Sequence, residues 1–226
     1  HVIKWLFLAR EETSIAKHVP FYDFLPYQFG PFSFSAYYDL KRLSDTGYFG
    51  ADTLRIPRDR IRDVASITAT LPAHVRVFVR EILAEYGALN RGELLNLVYH
   101  LYPWYASRSW LHPRPLDHSA PLAVYTCGYE GRSVDAFLDL LLRKGIRRVV
   151  DVRHNAYSRK YGFTKIFLER FCGKVGLEYV HFPSLGIPSS LRSGLSDAAA
   201  YDHVFQCYET EILPSKKIAL SRLGNL

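Results

Sequence analysis

A predicted strand runs into a predicted helix at Tyr125-Thr126-Cys127-Gly128-Tyr129-Glu130-Gly131-Arg132-Ser133. Residues 122–127 are mostly apolar, and the two glycines that follow allow the backbone to bend tightly. The hydroxyl of Ser133 can cap a helix whose apolar residues recur with helical spacing as far as Gly145. Because a helix N-terminus favours anions, this turn is a candidate phosphate site with Arg132 beside it.

Strands and helices alternate from this turn towards the C-terminus. Strands are predicted at 122–127, 148–152 and 178–182, with helices at 133–144 and 164–175 between them. Two further helices are predicted near 197–208 and 214–224. Apolar strands joined by single helices favour parallel pairing with right-handed crossovers. The predicted fold class is therefore α/β, with a Rossmann-like parallel sheet in residues 122–226.

The N-terminal part of the chain is predicted to be mainly helical. Helices are expected at 2–12, 33–45, 72–86 and 91–101, and a short hairpin over 48–56. Helix, helix and hairpin is the order of a winged helix, which commonly docks on DNA. The alternative is a helical packing or dimerisation module. On the first interpretation, Lys41, Arg42 and Arg55 are the candidate nucleic-acid contacts.

Three domains or segments follow from these patterns. Residues 1–106 form the winged-helix-like domain, and residues 107–121, which contain three prolines, form a linker. Residues 122–226 form the Rossmann-like domain.

Composition restricts the class of protein and of partner. The chain has 226 residues, 48% of them hydrophobic, which excludes a disordered protein. Its net charge is +7, and residues 121–226 carry 15 Lys and Arg against 10 Asp and Glu. A basic balance of this kind favours an anionic partner such as nucleic acid.

Cysteine usage and hydropathy indicate the compartment. The three cysteines, Cys127, Cys172 and Cys207, have neither disulfide nor metal spacing, which favours a reducing cytoplasm. No apolar run is long enough to span a membrane, and the first residues lack the pattern of a secretory signal. No dinucleotide fingerprint, Walker loop or metal cluster occurs, so neither a cofactor nor a metal is predicted.

Three loops are expected at the carboxyl edge of the predicted sheet, where ligands of open α/β sheets bind. Arginines, serines and aromatic residues converge there, a combination suited to phosphate and to stacked bases. The candidate ligand- or phosphate-binding residues are Gly128, Tyr129, Gly131, Arg132, Ser133, Arg153, Ser158 and Arg159. Lys160 is a further nucleic-acid candidate, Tyr129, Tyr157 or Tyr161 could stack, and Asp151 and Glu130 are the candidate catalytic residues.

Each of these assignments has an alternative. Asp151 and Arg153 could be an ion pair and nothing more, although a buried pair is costly unless well hydrogen-bonded. Arg159 and Lys160 could be solvated surface charges, and His154 an ordinary loop residue. Cys127 could be a thiolate nucleophile at a helix N-terminus, or a small apolar residue that ends the strand.

The C-terminal half resembles the domain of unknown function 488 family. The resemblance is carried by Gly128-Tyr129-Glu130-Gly131-Arg132-Ser133, Asp151-Val152-Arg153, Tyr157-Ser158-Arg159, Phe163 and Tyr179-Val180-His181-Phe182-Pro183-Ser184-Leu185-Gly186. It implies a Rossmann-like fold and a shared site at the sheet edge rather than a named reaction. The family pattern continues into another strand with Cys-Glu and Cys-His-Arg segments, which implies that the domain extends past Leu226.

The N-terminal segment 22–33, with its aromatic-Gly-Pro turn, resembles the winged-helix-like segment fused to some members of that family and segments of antitoxin-type domains. The expected function is therefore that of a cytoplasmic, nucleic-acid-associated protein. It is expected to be an enzyme, a hydrolase or glycosylase, that acts on a nucleotide, base or phosphodiester in DNA. The alternative is a non-enzymatic DNA-binding or toxin–antitoxin-like regulator, and a homodimer is compatible with either.

Overall fold

The computed structural model describes residues 1–50, 55–112, 119–192 and 197–225. Helices account for 58% of them, and the strands form only small sheets, so the class is mixed helix and strand. The chain divides into two compact units, His1–Gly145 and Ile146–Leu226. This division comes later in the chain than the predicted linker, of which residues 113–118 lie outside the described part. The predicted domain limits stay a prediction.

The first unit is a helical assembly with one small hairpin. Its helices are α1 (Val2–Glu12), α2 (Ile15–His18), α3 (Phe34–Asp45), α4 (Ile61–Thr70), α5 (Ala73–Tyr86), α6 (Arg91–Leu101), α7 (Pro103–Ala106) and α8 (Val134–Arg143). Strands β1 (Leu25–Tyr27) and β2 (Gly30–Phe32) pair antiparallel. A 3₁₀ turn, Arg58–Arg60, precedes α4.

Aromatic packing around Phe7 forms the centre of this unit. The ring of Phe7 lies 5.4 Å from that of Phe24, 5.0 Å from Tyr102 and 4.6 Å from Tyr105, each with edge-to-face geometry. Buried aliphatic side chains from α5 and α6 surround it: Val75, Ile82, Leu94 and Val98. Burial of each such side chain contributes about 1.5–3 kcal/mol. Because these residues recur with helical spacing, one face of each helix packs on this core.

Helix α6 starts with a capping box formed by Asn90 and Glu93. The Asn90 side chain accepts hydrogen bonds from the backbone of Gly92 at 2.9 Å and of Glu93 at 3.1 Å. The Glu93 carboxylate accepts one from the Asn90 backbone at 2.9 Å, which completes the capping box.

Gly30 is required by the hairpin. Its φ is +86°, a left-handed conformation that only glycine adopts readily. A Cβ at this position would lie 2.6 Å from a ring carbon of Tyr99. The Gly-Pro turn noted in the sequence is thus a site of close packing between the hairpin and α6.

The predicted wing is not formed by the part of 48–56 that the structure describes. Tyr48 and Phe49 lie in a bend rather than a strand, and residues 51–54 are outside the described ranges. The hairpin of this unit lies instead before α3, at 25–32. A turn of only two residues, Gln28 and Phe29, joins its strands, which is a favourable closure for antiparallel pairing.

The predicted strand at 122–127 has no strand hydrogen bonding in the structure. Leu122 and Val124 are almost completely exposed, and Tyr125 is half exposed. Apolar composition alone does not make a strand, because the backbone groups also need a partner ladder. The Rossmann-like sheet predicted on this strand is accordingly not formed by the described residues.

Helix α8 is fixed to α3 by a buried carboxylate. Asp135 accepts hydrogen bonds from the backbone N–H groups of Phe34 at 2.6 Å and Ser35 at 3.0 Å. It also accepts from the hydroxyls of Ser35 at 2.6 Å and Ser33 at 3.2 Å. Burial raises the pKa of Asp135 to about 6, although these hydrogen bonds act to lower it. The carboxylate thus satisfies backbone donors that the first turn of α3 leaves unpaired.

The second unit is built on a parallel pair of strands. Strands β3 (Arg148–Asp151) and β4 (Glu178–His181) are joined by α9 (Lys165–Lys174), which packs against β4. Helices α10 (Ala198–Cys207) and α11 (Lys217–Gly224) follow, separated by a π turn (Tyr208–Ile212) and a 3₁₀ turn (Leu213–Lys216). The register places Asp151 opposite His181. Both residues end their strands, so their side chains reach the same carboxyl edge.

None of the helices in the described ranges combines the length and apolar character that a membrane span requires.

Candidate functional site

Asp151 and Arg153 form a two-pronged ion pair at the end of β3. The Asp151 carboxylate accepts from Nε of Arg153 at 2.8 Å and from Nη2 at 2.5 Å. The side chain of Asp151 is only 4% exposed and that of Arg153 19%. Bidentate charge-assisted hydrogen bonds of this kind are among the strongest in proteins. The pair therefore fixes the direction of the chain where it leaves the sheet.

Tyr179 of β4 completes the surroundings of Asp151. Its hydroxyl donates to Asp151 Oδ2 at 2.6 Å. Burial by itself would raise the pKa of Asp151, but the hydrogen bonds from Arg153 and Tyr179 outweigh it and lower the pKa below its ordinary value. Burial and the same hydrogen bond raise the pKa of Tyr179. At neutral pH Asp151 is thus an ionised, fully engaged acceptor, which suits a positioning group better than a proton acceptor.

The loop that follows β3 is closed at its base by Arg153. Nη1 of Arg153 donates to the carbonyl of Phe163 at 2.9 Å, and the backbone N–H of Lys165 donates to Ala156 at 2.9 Å. Phe163 is completely buried. These contacts hold the two ends of residues 154–162, the rim loop, close together. The position of the rim loop is therefore set by its contacts with the end of β3 and the start of α9 as well as by contacts within the loop.

The tip of the rim loop exposes an aromatic ring and two cations. Tyr157 is 69% exposed, and Arg159 and Lys160 are also exposed. The Ser158 hydroxyl accepts from the backbone N–H of Lys160 at 3.1 Å, which fixes the turn. Lys160 Nζ lies 5.7 Å from the Phe163 ring centre, whereas Arg159 has no partner among the residues that the structure describes.

Tyr161, which was expected to be available for stacking, lies in an aromatic cluster instead. Its ring centre is 5.7 Å from that of Phe167 and 6.0 Å from that of Phe171, both on α9. Tyr157 is therefore the exposed tyrosine of this loop.

The third predicted loop lies against the base of the rim loop. Gly186 packs so closely that a Cβ there would lie 2.1 Å from the His154 backbone nitrogen. Nδ1 of His154 is 3.2 Å from the Pro183 carbonyl. Because a carbonyl only accepts, Nδ1 carries the hydrogen of this contact, and the residue as a whole is exposed. On the buried side, His181 Nε2 donates in the same way to the Arg153 carbonyl at 2.9 Å.

The first predicted loop belongs to the first unit. Glu130 and Arg132 are exposed there, with Gly128, Gly131 and the half-buried Tyr129. Arg132 contacts the Gly128 carbonyl at 3.4 Å. Ser133 caps α8 as predicted by accepting from Ala136 at 3.0 Å, and it donates to the Asp23 carboxylate at 2.6 Å. A carboxylate thus already faces the helix N-terminus at which a phosphate was expected.

The N-terminal nucleic-acid candidates are surface cations. Lys41 pairs with Asp45 at 2.9 Å, and Arg42 lies 3.9 Å from Asp39 and 5.8 Å from the Tyr38 ring centre. Arg55 is exposed and follows residues outside the described ranges. Lys41 and Arg42 have carboxylates within reach, which weakens their attraction for an external phosphate.

The three cysteines are free thiols in different environments. Cys127 is exposed, Cys207 is half-buried, and Cys172 is buried beneath the site. Burial, with a contribution from the Asp151 charge, raises the pKa of Cys172 to about 12 and so keeps it protonated. Across the described ranges there is no group of three or more His, Cys, Asp or Glu that could hold a metal ion.

Comparison with known protein families identifies a match in the C-terminal part of the chain. The family model "Domain of unknown function DUF488" matches residues 133–226, which confirms the resemblance for the C-terminal part. The matched segment contains the Asp151–Arg153 pair and the whole rim loop, and it leaves out residues 1–132. No curated protein and no solved structure matches the chain.

Proposed function

We propose that this protein binds nucleic acid through the rim loop of its second unit. The observation that carries the proposal is the loop tip, where Tyr157 is 69% exposed and Arg159 and Lys160 lie beside it in sequence. An exposed aromatic ring offers a stacking face to any base, and adjacent cations attract the phosphates that join the bases.

The ion pair beneath the loop supports this proposal. Arg153 joins the end of β3 to Phe163 at the far end of the rim loop, so the tip is held before a ligand arrives. A loop that is already ordered loses less conformational entropy on binding. Asp151 acts in this arrangement as a positioning residue, because it holds Arg153 in place.

The charge balance of the second unit is also favourable. Residues 146–226 contain 12 Lys and Arg and 7 Asp and Glu, a surplus of five positive charges. A surplus of positive charge on one unit attracts a polyanion over distances longer than those of individual hydrogen bonds or ion pairs. We propose DNA as the partner, with the cytoplasm as location because the cysteines are free thiols.

The proposed fold of the second unit is the edge of a Rossmann-like sheet. Parallel pairing of β3 and β4 through the crossover helix α9 supports this fold. For the first unit we propose a partner-binding role. A winged-helix form would require a hairpin over 48–56, and a homodimer could use the exposed apolar side chains of α4 and α5, among them Ile67 and Leu83.

We expect Tyr157→Ala to weaken DNA binding by about 5- to 150-fold, since stacking contributes about 1–3 kcal/mol per base. Fluorescence anisotropy of a labelled single-stranded oligonucleotide measures this change. Tyr201→Ala is the matched control, because Tyr201 is a 48% exposed tyrosine of the same unit, on α10. Equal losses in the two variants, or no loss in Tyr157→Ala, would contradict the proposed stacking role.

A reaction on DNA is the second candidate function, and His154 favours it. His154 is an exposed residue of the rim loop whose ring is oriented through Nδ1 by the Pro183 carbonyl, and in this proposal Nε2 is the nitrogen that takes part in proton transfer. In this version the protein is a hydrolase or glycosylase acting on a nucleotide, base or phosphodiester. Of the two catalytic residues predicted from the sequence, Asp151 is engaged by Arg153 and Tyr179, which favours positioning over catalysis. Glu130 is exposed and belongs to the first unit.

If the protein is an enzyme, it should release a base, phosphate or nucleotide when it is incubated with an excess of DNA. Chromatography of the reaction mixture detects these products. His154→Gln should then lower the rate by at least about tenfold, while binding of the oligonucleotide is retained. The exposed histidine His203 provides the matched control, His203→Gln. Binding without product from any substrate would instead support the alternative, a DNA-binding or toxin–antitoxin-like regulator.

A further inference from the structure

A cavity of about 360 Å³ lies in the first unit, beside α1, α6 and the hairpin turn. Its apolar lining comes from Ile3, Phe29, Leu94 and Leu95, and two cations, Lys4 and Arg91, also line it. A cavity of this volume accommodates a small molecule rather than a polymer. It is separate from the rim loop and its nucleic-acid role.

Lys4 is held in a fixed position at this cavity. Its ammonium group donates a hydrogen bond to the Pro31 carbonyl at 2.8 Å. Burial and the nearby charge of Arg91 lower the pKa of Lys4 to about 7. An anion that binds next to Lys4 favours the protonated form of its side chain and so raises its pKa again.

Arg91 adds a second positive charge. Its guanidinium lies 5.9 Å from the ring centre of Phe29, over an aromatic wall of the cavity. Within the described ranges, neither Arg91 nor Lys4 has an ion pair with a carboxylate. Two cations that converge without a counter-charge repel each other, and an external anion would remove that cost.

We propose that this cavity binds a small molecule with an apolar or aromatic body and one anionic group, a carboxylate or a phosphate. The anion contacts Lys4 and Arg91, and the body packs on Phe29, Leu94 and Leu95. The arrangement matches the general form of ligand sites, in which apolar walls surround a few polar groups. The proposal does not depend on the nucleic-acid function.

The pH dependence of binding follows from Lys4. The other titratable side chains at the cavity are Arg91 and the ring of His1. A bound anion raises the pKa of Lys4. Above neutral pH, where Lys4 is largely neutral in the free protein, binding of the anion is therefore coupled to protonation of Lys4. The affinity is therefore highest below about pH 7 and falls by up to about tenfold per pH unit above it.

Isothermal titration of the full chain with benzoate and with phenyl phosphate tests the proposal. At least one should bind at pH 6.5 with a dissociation constant below about 1 mM, and neutral benzyl alcohol should bind at least about tenfold more weakly. The tighter anion identifies the preferred group, and inorganic phosphate shows whether the apolar body is needed.

Lys4→Gln and Arg91→Gln should each weaken anion binding by about tenfold or more, and Lys4→Gln should also remove the pH dependence. Lys17→Gln, which replaces an exposed cation on α2, should change nothing. The proposal is overturned if neither anion binds, if the alcohol binds equally well, or if both cavity variants bind like the unmodified protein.

Discussion

Asp151→Ala is expected to lower the free energy of unfolding of the second unit by about 3 kcal/mol. Removal of one partner of a largely buried ion pair leaves the other charge without compensation. The guanidinium and the backbone N–H of Arg153 would lose their three hydrogen bonds to the carboxylate, and Tyr179 would lose the acceptor of its hydroxyl. The contacts that close the rim loop depend on Arg153, so amide exchange in the loop should accelerate together with exchange in β3 and β4.

Hydrogen exchange measured on peptides of the second unit is the suitable readout, because the three tryptophans all lie in the first unit. Glu178→Ala is a matched control on the same strand pair. Glu178 pairs with Arg148 at 2.7 Å, but the two side chains are 54% and 32% exposed, so its loss should cost less than about 1 kcal/mol. Equal protection in Asp151→Ala and Glu178→Ala would contradict the importance of the buried pair.

The dependence of stability on pH in the acid range should also report on the Asp151–Arg153 pair. The pKa of Asp151 is lower in the folded protein than in the unfolded chain, so below about pH 4 the unfolded state binds more protons. The stability that Asp151 contributes is therefore present above about pH 4 and is lost as the pH falls through its folded pKa. In Asp151→Asn this part of the acid sensitivity should disappear.

The second large effect is expected at Asp135. Asp135→Ala removes the acceptor of two backbone N–H groups and two hydroxyls at the start of α3, and should destabilise the first unit by about 3 kcal/mol. Urea unfolding followed by tryptophan fluorescence reports on this unit, which contains Trp5 and Trp104. Asp45→Ala at the other end of α3 removes only an exposed pair with Lys41 and should cost less than about 1 kcal/mol.

The pH dependence of Asp135 has the opposite sign to that of Asp151. Burial raises its pKa to about 6, so between about pH 4 and this value the folded state holds more protons than the unfolded chain. The contribution of Asp135 to stability therefore falls as the pH rises through that range. Asp135→Asn keeps one acceptor and removes the charge, so it should abolish this slope and cost less stability than Asp135→Ala. A slope unchanged in Asp135→Asn would contradict the assignment.

Local signals in the sequence predicted local structure well. The apolar spacing of α5, α6, α8 and α9 and the caps of α6 and α8 are properties of neighbouring residues, and the helices form where these signals indicate. The parallel pairing of 148–152 with 178–182 was also predictable, because an amphipathic helix separates two short apolar strands. Asp151 and Arg153 are two residues apart at the end of a strand, so their ion pair could be anticipated from the sequence, and the structure contains it.

Long-range contacts could not be predicted in this way. Asp135 reads as an ordinary acidic residue in the first turn of α8, and its true partners lie about a hundred residues earlier in the chain. Tyr179 reads as an apolar strand residue, although its hydroxyl reaches Asp151 from the neighbouring strand. The segment 122–127 has strand composition without a strand partner. In each case tertiary arrangement, rather than local preference, decides which groups meet.

The proposed DNA interface depends most on the two cations at the tip of the rim loop, Arg159 and Lys160. The most direct test is the salt dependence of DNA binding in unmodified protein and in a double variant, Arg159→Gln with Lys160→Gln, against the control pair Lys174→Gln with Lys217→Gln. Fluorescence anisotropy between about 50 and 200 mM salt should give a steep slope for the unmodified protein, reduced by about one for each rim-loop cation removed. A flat dependence in the unmodified protein, or equal slopes in the two double variants, would contradict the proposed interface.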